Sequence, residues 1–361
     1  MNNNIYNILL DQINNGKKAV IVTALSNKEN EKKNVPIKFL VTEESLLKKE
    51  YDERLDQLIY EKALQTLETG ILEFFIANED ESYLIEPYYP EPQLIIFGAG
   101  HIALPLAEFG ARAGFSVVVI DDRPSFANIE RFPTATKVIC ESFEKCFDHI
   151  NIHPFTFVVI VTRGHRHDME CLRQVLKYKT AYTGMIGSKR RVKGVMGKML
   201  EEGFSQETLD AVNSPIGFAI GGVTPEEIAF SIIAEVISYR RFANIRIENG
   251  TNKKYNWPEY DPDVIYELSK EDDSPKAIIT IIDTKGSVPR KEGAKMIVWP
   301  FGKLLGSIGG GCSEGAVITN ARDIIANGGY QFQRVDMTGI VAEDEGMACG
   351  GIMDVIIEYF E

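Results

Sequence analysis

Continuous apolar runs alternate with amphipathic stretches through the middle of the chain. The runs cover residues 94–97, 116–120, 137–139, 157–161 and 181–186. Strands buried on both faces of a parallel sheet show runs of this kind. Helical periodicity over residues 102–113 and 169–178 separates them. The alternation predicts an α/β class with a central Rossmann-like, doubly wound parallel sheet.

A further helix is predicted at the end of this region. Thr224 is a suitable N-cap, Pro225 suits the first helical position, and Glu227 can complete a capping box. The basic pair Arg240 and Arg241 favours the carboxyl end of the same helix.

Two segments rich in Pro, Tyr and Asn divide the sequence, at residues 86–92 and 249–262. Such clusters between periodic segments are typical of linkers. Three pieces are therefore predicted, at 1–90, 91–247 and 260–361.

The first and last pieces resemble two copies of one α/β unit. The matching stretches are 18–23 with 276–280, 38–41 with 295–298, and 84–86 with 356–358. Each piece also has a helical stretch that ends in glycine, at Gly70 and Gly328. The amino-terminal copy lacks the glycine loops and cysteines of the other, so we interpret it as degenerate and the carboxyl-terminal copy as intact. Two unrelated strand–helix–strand units remain the alternative, because short apolar strands match easily by chance.

Composition narrows the classes of partner. The 361 residues carry a formal net charge of −13, which argues against nucleic acid and anionic membrane surfaces as partners. No apolar run reaches the roughly 20 residues of a membrane span, and the start of the chain shows no secretory signal. Five widely spaced cysteines indicate reduced thiols. We therefore expect a cytoplasmic location.

A G-x-G-x-x-A turn joins the first strand and helix of the middle piece. Gly98 permits the tight turn, Gly100 permits close approach of a phosphate, and His101 either touches a ligand or lies in the first helical turn. Asp121 stands where an acidic residue accepts a ribose hydroxyl, while Arg123 favours an additional phosphate instead. A nucleotide or NAD(P) is the expected ligand; the alternative is a Rossmann-like fold that no longer binds one.

Two more loops follow strands of the same sheet. His165, His167 and Asp168 are candidate metal ligands or acid–base groups, with capping favoured for Asp168 and a substrate-facing role for His165. Ser188 begins a basic helix start typical of an anion site, or of a solvated helix end.

Glycine loops with two cysteines mark the last hundred residues. Arg290, in the run from Gly286 to Arg290 that includes Ser287, offers a planar fork for phosphate or a carbonyl. Cys312 follows three glycines at a predicted helix start, where a thiol pKa is lowered. The remaining candidates at this site are Gly309, Gly310, Gly311, Glu314 and a second thiol at Cys349. Small cysteines packed beside glycines are the alternative.

These motifs, in their order, resemble the XdhC/CoxI family of molybdenum-hydroxylase maturation proteins. The resemblance rests on Gly286 to Met296, Gly309 to Glu314 and Cys349 to Gly351, and in the middle piece on 97–101, 121–123, 184–188, 215–217 and 224–229. It covers nearly everything after residue 90. Family members often place the glycine-loop domain before the Rossmann domain, whereas here it follows, and the 162–168 loop also differs.

The resemblance implies that the protein binds molybdenum cofactor (molybdopterin), with Cys312 as a candidate molybdenum ligand, and holds it for sulfuration. Its implied partners are a xanthine dehydrogenase-like hydroxylase and a cysteine desulfurase. Such an accessory protein needs no catalytic turnover, and a homodimer is a further hypothesis. Two other functions stay open: an NAD(P)-dependent oxidoreductase centred on Gly98, Gly100 and Asp121, and a structural component of a larger oxidoreductase.

Overall fold

A computed structural model describes most of the chain. The described residues are 3–26, 35–48, 52, 54–242, 245–246, 252–253, 257–310, 312–337 and 351–361. The chain divides into two compact units. The central unit comprises residues 91–245, and the paired-sheet unit comprises residues 1–90 together with 246–361. The first and last of the three predicted pieces thus belong to one unit.

In the described residues up to 90, the amino-terminal part of the paired-sheet unit contains three helices and one antiparallel sheet. Its elements are α1 (Asn3–Asn14), β1 (Ala19–Ser26), β2 (Ile37–Thr42), α2 (Glu43–Lys48), α3 (Gln57–Thr69), β3 (Glu73–Ile76) and β4 (Glu81–Tyr88). The strands form the first sheet, in the order β2-β1-β4-β3. Helix α3 ends at Gly70, which adopts the left-handed conformation with φ 66°.

The central unit alternates strands and helices around a parallel sheet. Its elements are β5 (Gln93–Phe97), α4 (Ala103–Arg112), β6 (Ser116–Asp121), β7 (Lys137–Cys140), a 3₁₀ turn (Cys146–His149), β8 (Thr156–Ile160), α5 (His165–Val175), β9 (Tyr182–Met185), α6 (Lys189–Glu201), α7 (Gln206–Asp210) and α8 (Pro225–Phe242). The strand order is β7-β6-β5-β8-β9, with every pairing parallel.

The central unit confirms the doubly wound fold expected from the apolar runs. All five predicted strands are present, and helix α5 begins at His165, four residues before its predicted start. The capping box of α8 is also present. The Glu227 carboxylate accepts the backbone N–H groups of Val223 and Thr224 at 2.7 and 3.0 Å, and the Glu227 N–H donates to the Thr224 hydroxyl at 3.3 Å.

The carboxyl-terminal part completes the paired-sheet unit. After the short strands β10 (Ile245–Arg246) and β11 (Asn252–Lys253) come α9 (Pro262–Ser269), β12 (Lys276–Lys285), β13 (Lys295–Val298), β14 (Leu304–Gly306), α10 (Cys312–Asn327), β15 (Tyr330–Asp336) and β16 (Ile352–Phe360). Strands β12 to β16 form the second sheet, in the order β14-β13-β12-β16-β15. No helix in the described ranges has the length and apolar character needed to cross a membrane.

The two antiparallel sheets share one strand order. Strands β2-β1-β4-β3 correspond to β13-β12-β16-β15, and the pairing registers agree: Thr23 faces Lys38 as Thr280 faces Lys295. Similarly, Ile21 faces Glu86 as Ile278 faces Glu358. The order and register match the correspondence predicted between the first and last pieces. A common origin of the two halves stays a prediction.

An apolar core joins the halves of the paired-sheet unit. Side chains of α1, β1 and β4 pack in one cluster with side chains of α9, β12, β13 and β16. Within this cluster the rings of Tyr6 and Phe360 meet edge to face, with centroids 5.7 Å apart. Neither sheet therefore has a separate apolar face here, because the core is built from both.

Two buried lysine–glutamate pairs cross between the halves in reciprocal fashion. Lys38 of β2 donates to both carboxylate oxygens of Glu358 on β16, at 2.8 and 2.9 Å. Lys295 of β13 donates to Glu86 of β4. Each ammonium also donates to a threonine of its own sheet, Lys38 to Thr23 at 3.0 Å and Lys295 to Thr280 at 2.7 Å. All four charged side chains are at most 3% exposed.

Breaking one of these pairs should destabilise the paired-sheet unit strongly. Glu358→Gln leaves the Lys38 ammonium buried without its counter-charge, so we expect a loss of about 3–5 kcal/mol in unfolding free energy. Replacing both partners, as Lys38→Met with Glu358→Leu, should recover much of that loss because no buried charge remains. Both tryptophans, Trp257 and Trp299, belong to this unit, so denaturant unfolding followed by tryptophan fluorescence reports on it.

The control is the pair of Glu267 and Lys270 on and after α9, which lies closer to the surface: the lysine side chain is 46% exposed and the glutamate side chain 16%. Glu267→Gln should change unfolding free energy by less than about 1 kcal/mol, since surface pairs contribute little. Equal losses for Glu358→Gln and Glu267→Gln would contradict the importance given to the buried pairs.

Candidate functional site

The Ser287–Arg290 loop, which follows β12, contacts two other loops through glycines. A Cβ at Gly309 would lie 2.7 Å from Cγ of Pro289, and one at Gly351 would lie 2.4 Å from the carbonyl oxygen of Ser287. Gly309 also has φ +141°, which side chains rarely adopt. Only glycine allows this close approach, so the two glycine positions hold the loops together.

Glu314 of α10 organises the glycine loop before it. One carboxylate oxygen of Glu314 accepts the Ser307 hydroxyl at 2.7 Å and the backbone N–H groups of Gly310 and Ile308 at 2.9 and 3.1 Å. Glu314 therefore orients the glycine loop that precedes its helix. The N–H groups of Ile308 and Gly310 are thus bonded to a carboxylate of the protein itself.

Arg290 is held by two carboxylates that lie just before α9. Its Nε donates to Oε1 of Glu259 at 2.6 Å, and its Nη1 lies 3.6 Å from Oδ2 of Asp261. About a quarter of the Arg290 side chain is exposed. Guanidinium has five N–H donors, so donors beyond the Nε–Glu259 bond remain for a ligand. Arg290 is thus a fixed, partly neutralised cation.

An acidic cavity of about 350 Å³ lies beside Arg290. Glu259, which binds Arg290, lines this cavity. Its other walls are residues 70–72 after α3, residues 86–88 at the end of β4, and residues 282–283 near the end of β12. Its lining includes four carboxylate residues, Glu86, Glu259, Asp283 and Glu292. Oε2 of Glu86 is buried and has no hydrogen-bond partner among the described residues. The cavity therefore offers hydrogen-bond acceptors.

Of the two predicted reactive cysteines, the structure describes the backbone of Cys312 only. Cys312 is the first residue of α10, as the sequence predicted, and its side chain is outside the described set. Gly311 and Cys349 lie outside the described residues. The residues that flank 338–350 are hydrogen-bonded to each other: the Met337 N–H donates to the Gly351 carbonyl at 2.9 Å. The site assignments for Cys312, Cys349 and Gly311 stay predictions.

The predicted nucleotide turn lies at the carboxyl edge of the parallel sheet. A Cβ at Gly98 would lie 2.5 Å from the carbonyl oxygen of Val161, so Gly98 is required for packing between the turn and β8. A Cβ at Gly100 would meet nothing within 4 Å. His101 is exposed. Of the two glycines, only Gly100 faces open space.

Asp121, at the end of β6, is bound by groups of the protein itself. Its carboxylate accepts Nε and Nη2 of Arg123 at 2.8 and 2.9 Å and the Ala99 N–H at 2.9 Å. The guanidinium of Arg163 pairs with the neighbouring Asp122, and these hydrogen bonds lower the Asp122 pKa to about 2. The structure thus brings Asp121 and Arg123 together as one ion pair at the turn.

The other two edge loops are joined by an ion pair between a buried aspartate and a partly exposed arginine. Asp168 is fully buried and bonds to Thr162 and to Arg191 of α6. Burial raises the Asp168 pKa, and the bonds to Thr162 and Arg191 oppose that effect. Asp168 therefore ties α5 to α6, and the expectation that it caps a helix is wrong. Ser188 caps α6 by accepting the Arg191 N–H at 3.3 Å, and His165 is exposed at the start of α5.

Three groups at these sites were missed by sequence reasoning. Glu259 and Asp261 lie in a segment predicted as a linker, and Arg163 lies in the 162–168 loop, for which only His165, His167 and Asp168 are predicted as functional candidates. The acidic Glu259-x-Asp261 pattern next to a predicted helix start was the one available signal. Within the described ranges, no group of three or more His, Cys, Asp or Glu residues is arranged to hold a metal ion.

Two family models match this chain. The XdhC Rossmann domain matches residues 94–236, and the XdhC and CoxI family domain matches residues 270–336. Together they cover more than half of the sequence. The chain belongs to the XdhC/CoxI family. Within this XdhC/CoxI protein, the second match contains the Ser287–Arg290 loop, Gly309 and Glu314.

Relatives of this XdhC/CoxI protein include two curated bacterial proteins. It is 32% identical over 181 residues to a probable xanthine dehydrogenase subunit of Bacillus subtilis strain 168, covering 49% of this chain and 52% of that protein. It is also 32% identical over 163 residues to the uncharacterized protein YqeB of Escherichia coli strain K12, covering 45% of this chain and 30% of that one. The chain therefore spans about half of the first relative and a third of the second.

A solved structure is also similar. A crystal structure of a xanthine dehydrogenase from Bacillus halodurans matches with 25% identity and a TM-score of 0.47, covering 68% of this chain and 66% of that one.

Burial separates the remaining cysteines by reactivity. Cys146 and Cys171 are fully buried, whereas Cys140 is exposed. Burial raises the pKa of Cys146 to about 12 and that of Cys171 well above its ordinary value.

At pH 8 in the native protein, iodoacetamide should modify Cys140 and leave Cys146 and Cys171 intact, as read by peptide mass spectrometry. Denaturation should expose all three; native labelling of Cys146 at the rate of Cys140 would contradict the assignment.

Proposed function

We propose that this protein is a maturation factor that binds molybdenum cofactor and holds it for sulfuration and insertion into a xanthine dehydrogenase-type hydroxylase. The observation that carries the proposal is the convergence of Gly309 and Gly351 on the Ser287–Arg290 loop, mostly inside the segment matched by the XdhC and CoxI family. The similarity to a probable xanthine dehydrogenase component of Bacillus subtilis supports the choice of recipient.

The character of the site suits the two ends of the cofactor. Molybdopterin carries an anionic phosphate and a polar pterin, and its dithiolene holds the molybdenum on which hydroxylase chemistry depends. The unused N–H groups of Arg290 suit the phosphate. The carboxylates that line the adjacent cavity, including Glu259, suit the N–H donors of the pterin ring. A phosphate placed within the cavity would instead meet like charge.

The cysteines supply the soft ligand in this proposal. Cys312 is the first residue of helix α10, and we propose that it acts as a thiolate, the form of cysteine that binds metal. A thiolate at Cys312 would hold molybdenum or receive sulfur more readily than a carboxylate. Cys349 is proposed as a second thiol, and a cysteine desulfurase partner is proposed as the source of sulfur.

Metal and pterin analysis of the purified protein tests whether it binds molybdenum cofactor at all. Protein purified from a host supplied with molybdenum should contain molybdenum and a fluorescent pterin oxidation product in equal amounts. A host unable to make molybdopterin supplies the control, and its protein should contain neither. Protein from the replete host that carries no pterin and gains none when mixed with the isolated cofactor would contradict the proposal.

Cys312→Ser should weaken cofactor binding by at least about tenfold, because a hydroxyl is a poor ligand for a thiophilic metal. The matched control is Cys140→Ser, which removes an exposed thiol from the central unit. Titration with isolated molybdenum cofactor gives both affinities. Unchanged affinity for Cys312→Ser would remove the thiolate role.

Gly351→Ala should also impair binding, because its Cβ would clash with the Ser287 carbonyl and displace the Ser287–Arg290 loop. Gly315→Ala is the control: it lies on α10 with open space around it and should leave binding and folding unchanged. Circular dichroism checks that both variants fold. Wild-type affinity in a folded Gly351→Ala variant would show that this loop contact does not shape the site.

A further inference from the structure

The turn between β5 and α4 leaves room for a ligand at one glycine. Gly98 is closed by the Val161 carbonyl, whereas Gly100 borders open space. The turn is bonded to β6, because the Gly98 N–H donates to the Ile120 carbonyl at 2.7 Å. Strand β6 ends beside it at Asp121. Any nucleotide that used this turn would place its ribose near that strand end.

Asp121 has no acceptor capacity left for a ribose. A carboxylate has about four lone-pair positions. Oδ1 of Asp121 accepts the backbone N–H and Nε of Arg123, at 3.1 and 2.8 Å, and Oδ2 accepts Nη2 of Arg123 and the Ala99 N–H, both at 2.9 Å. Four donors therefore occupy the carboxylate, and the side chain is 1% exposed. The usual recognition of a free ribose diol by this acidic residue is blocked.

Cationic groups remain accessible at the same place. Arg123 is 31% exposed and Arg163 is 38% exposed. Arg163 pairs with Asp122 and lies 3.7 Å from Asp121. Arg131 donates to the Ala99 carbonyl at 3.4 Å. These three arginines exceed the two aspartates by one positive charge, and each guanidinium keeps N–H groups beyond those in the bonds named here.

The ring of Phe126 fixes the position of two of these arginines. The guanidinium carbon of Arg123 lies 3.6 Å from the ring centroid, and that of Arg131 lies 5.0 Å away. Such stacking restricts a flexible side chain and favours a defined direction for its N–H groups. The donors beside the turn are therefore held in place before a ligand arrives.

We propose that this edge of the central unit binds a nucleotide that carries a phosphate on its ribose, with Arg123 and Arg163 as the phosphate donors. NADP, with a 2′-phosphate, and coenzyme A, with a 3′-phosphate, share this chemistry. NAD and dephospho-coenzyme A present the diol that Asp121 cannot accept. This inference does not depend on the proposed binding of molybdenum cofactor by the paired-sheet unit.

Calorimetric titration of the full-length protein with four ligands tests the proposal. NADP or coenzyme A should bind at least about tenfold more tightly than its counterpart without the ribose phosphate, since charge-assisted bonds to phosphate provide the difference. The pair that shows the preference identifies the position of the phosphate. Binding of NAD as tight as that of NADP, or absence of binding by all four at millimolar concentration, would overturn the proposal.

Two variants locate the phosphate contact. Arg163→Gln should weaken the preferred ligand about tenfold and leave its dephosphorylated counterpart unchanged. The control is Arg173→Gln on α5, which breaks a comparable two-bond pair with Glu202 at 2.5 and 2.6 Å and should not alter binding. Arg123→Gln should reduce the preference further, because it frees acceptors on Asp121. Equal effects of Arg163→Gln and Arg173→Gln would contradict the assignment.

Discussion

The paired-sheet unit depends on two lysine ammonium groups, each buried against a glutamate from the other half of the chain. The pairs join residues 38 and 358, and 86 and 295, so each spans most of the sequence. Burying four charges costs several kcal/mol per ion, which only good geometry and further hydrogen bonds can offset. The threonine hydroxyls of β1 and β12 supply part of those bonds. Either half alone would lack the counter-charge for its own buried lysine and glutamate.

This arrangement gives the amino-terminal half a role without any glycine loop or cysteine of its own. Glu86 holds Lys295 on β13, the strand that follows the Ser287–Arg290 loop. The same half also contributes residues 70–72 and 86–88 to the wall of the acidic cavity. The amino-terminal half thus supports the proposed cofactor site by position and charge. In physical terms it completes a core and a cavity that the carboxyl-terminal half only partly encloses.

Much of the fold could be predicted from the sequence, because it depends on patterns among residues that are close together in the chain. Strand β5 is a continuous apolar run buried on both faces, and the capping box at Thr224 and Glu227 uses residues three positions apart. The matching Lys38 and Lys295 were also visible as a repeated pattern. Their partners were not, because a repeat shows which residues correspond and says nothing of which half supplies each counter-charge.

The contacts within the sites were harder to predict from the sequence, for the same reason. The sequence predicts that Arg290 offers a planar fork to a ligand, and the structure adds that Glu259, distant in sequence, binds its Nε. Asp121 fits the pattern of a ribose acceptor, yet its lone pairs are occupied by Arg123 and Ala99. A motif specifies residue types at a spacing, whereas hydrogen-bond saturation depends on the side-chain directions that folding brings about. Where a polar group has several potential partners, sequence alone leaves the choice open.

Hydrogen–deuterium exchange with and without isolated molybdenum cofactor would show whether the cofactor binds at the Ser287–Arg290 loop, because it reports where on the chain a ligand slows exchange. Exchange should slow in peptides covering residues 286–294 and 307–316 and stay unchanged in peptides covering 98–103 and 162–168. Protection confined to the peptides of the central unit, with residues 286–294 unaffected, would contradict binding at the Ser287–Arg290 loop.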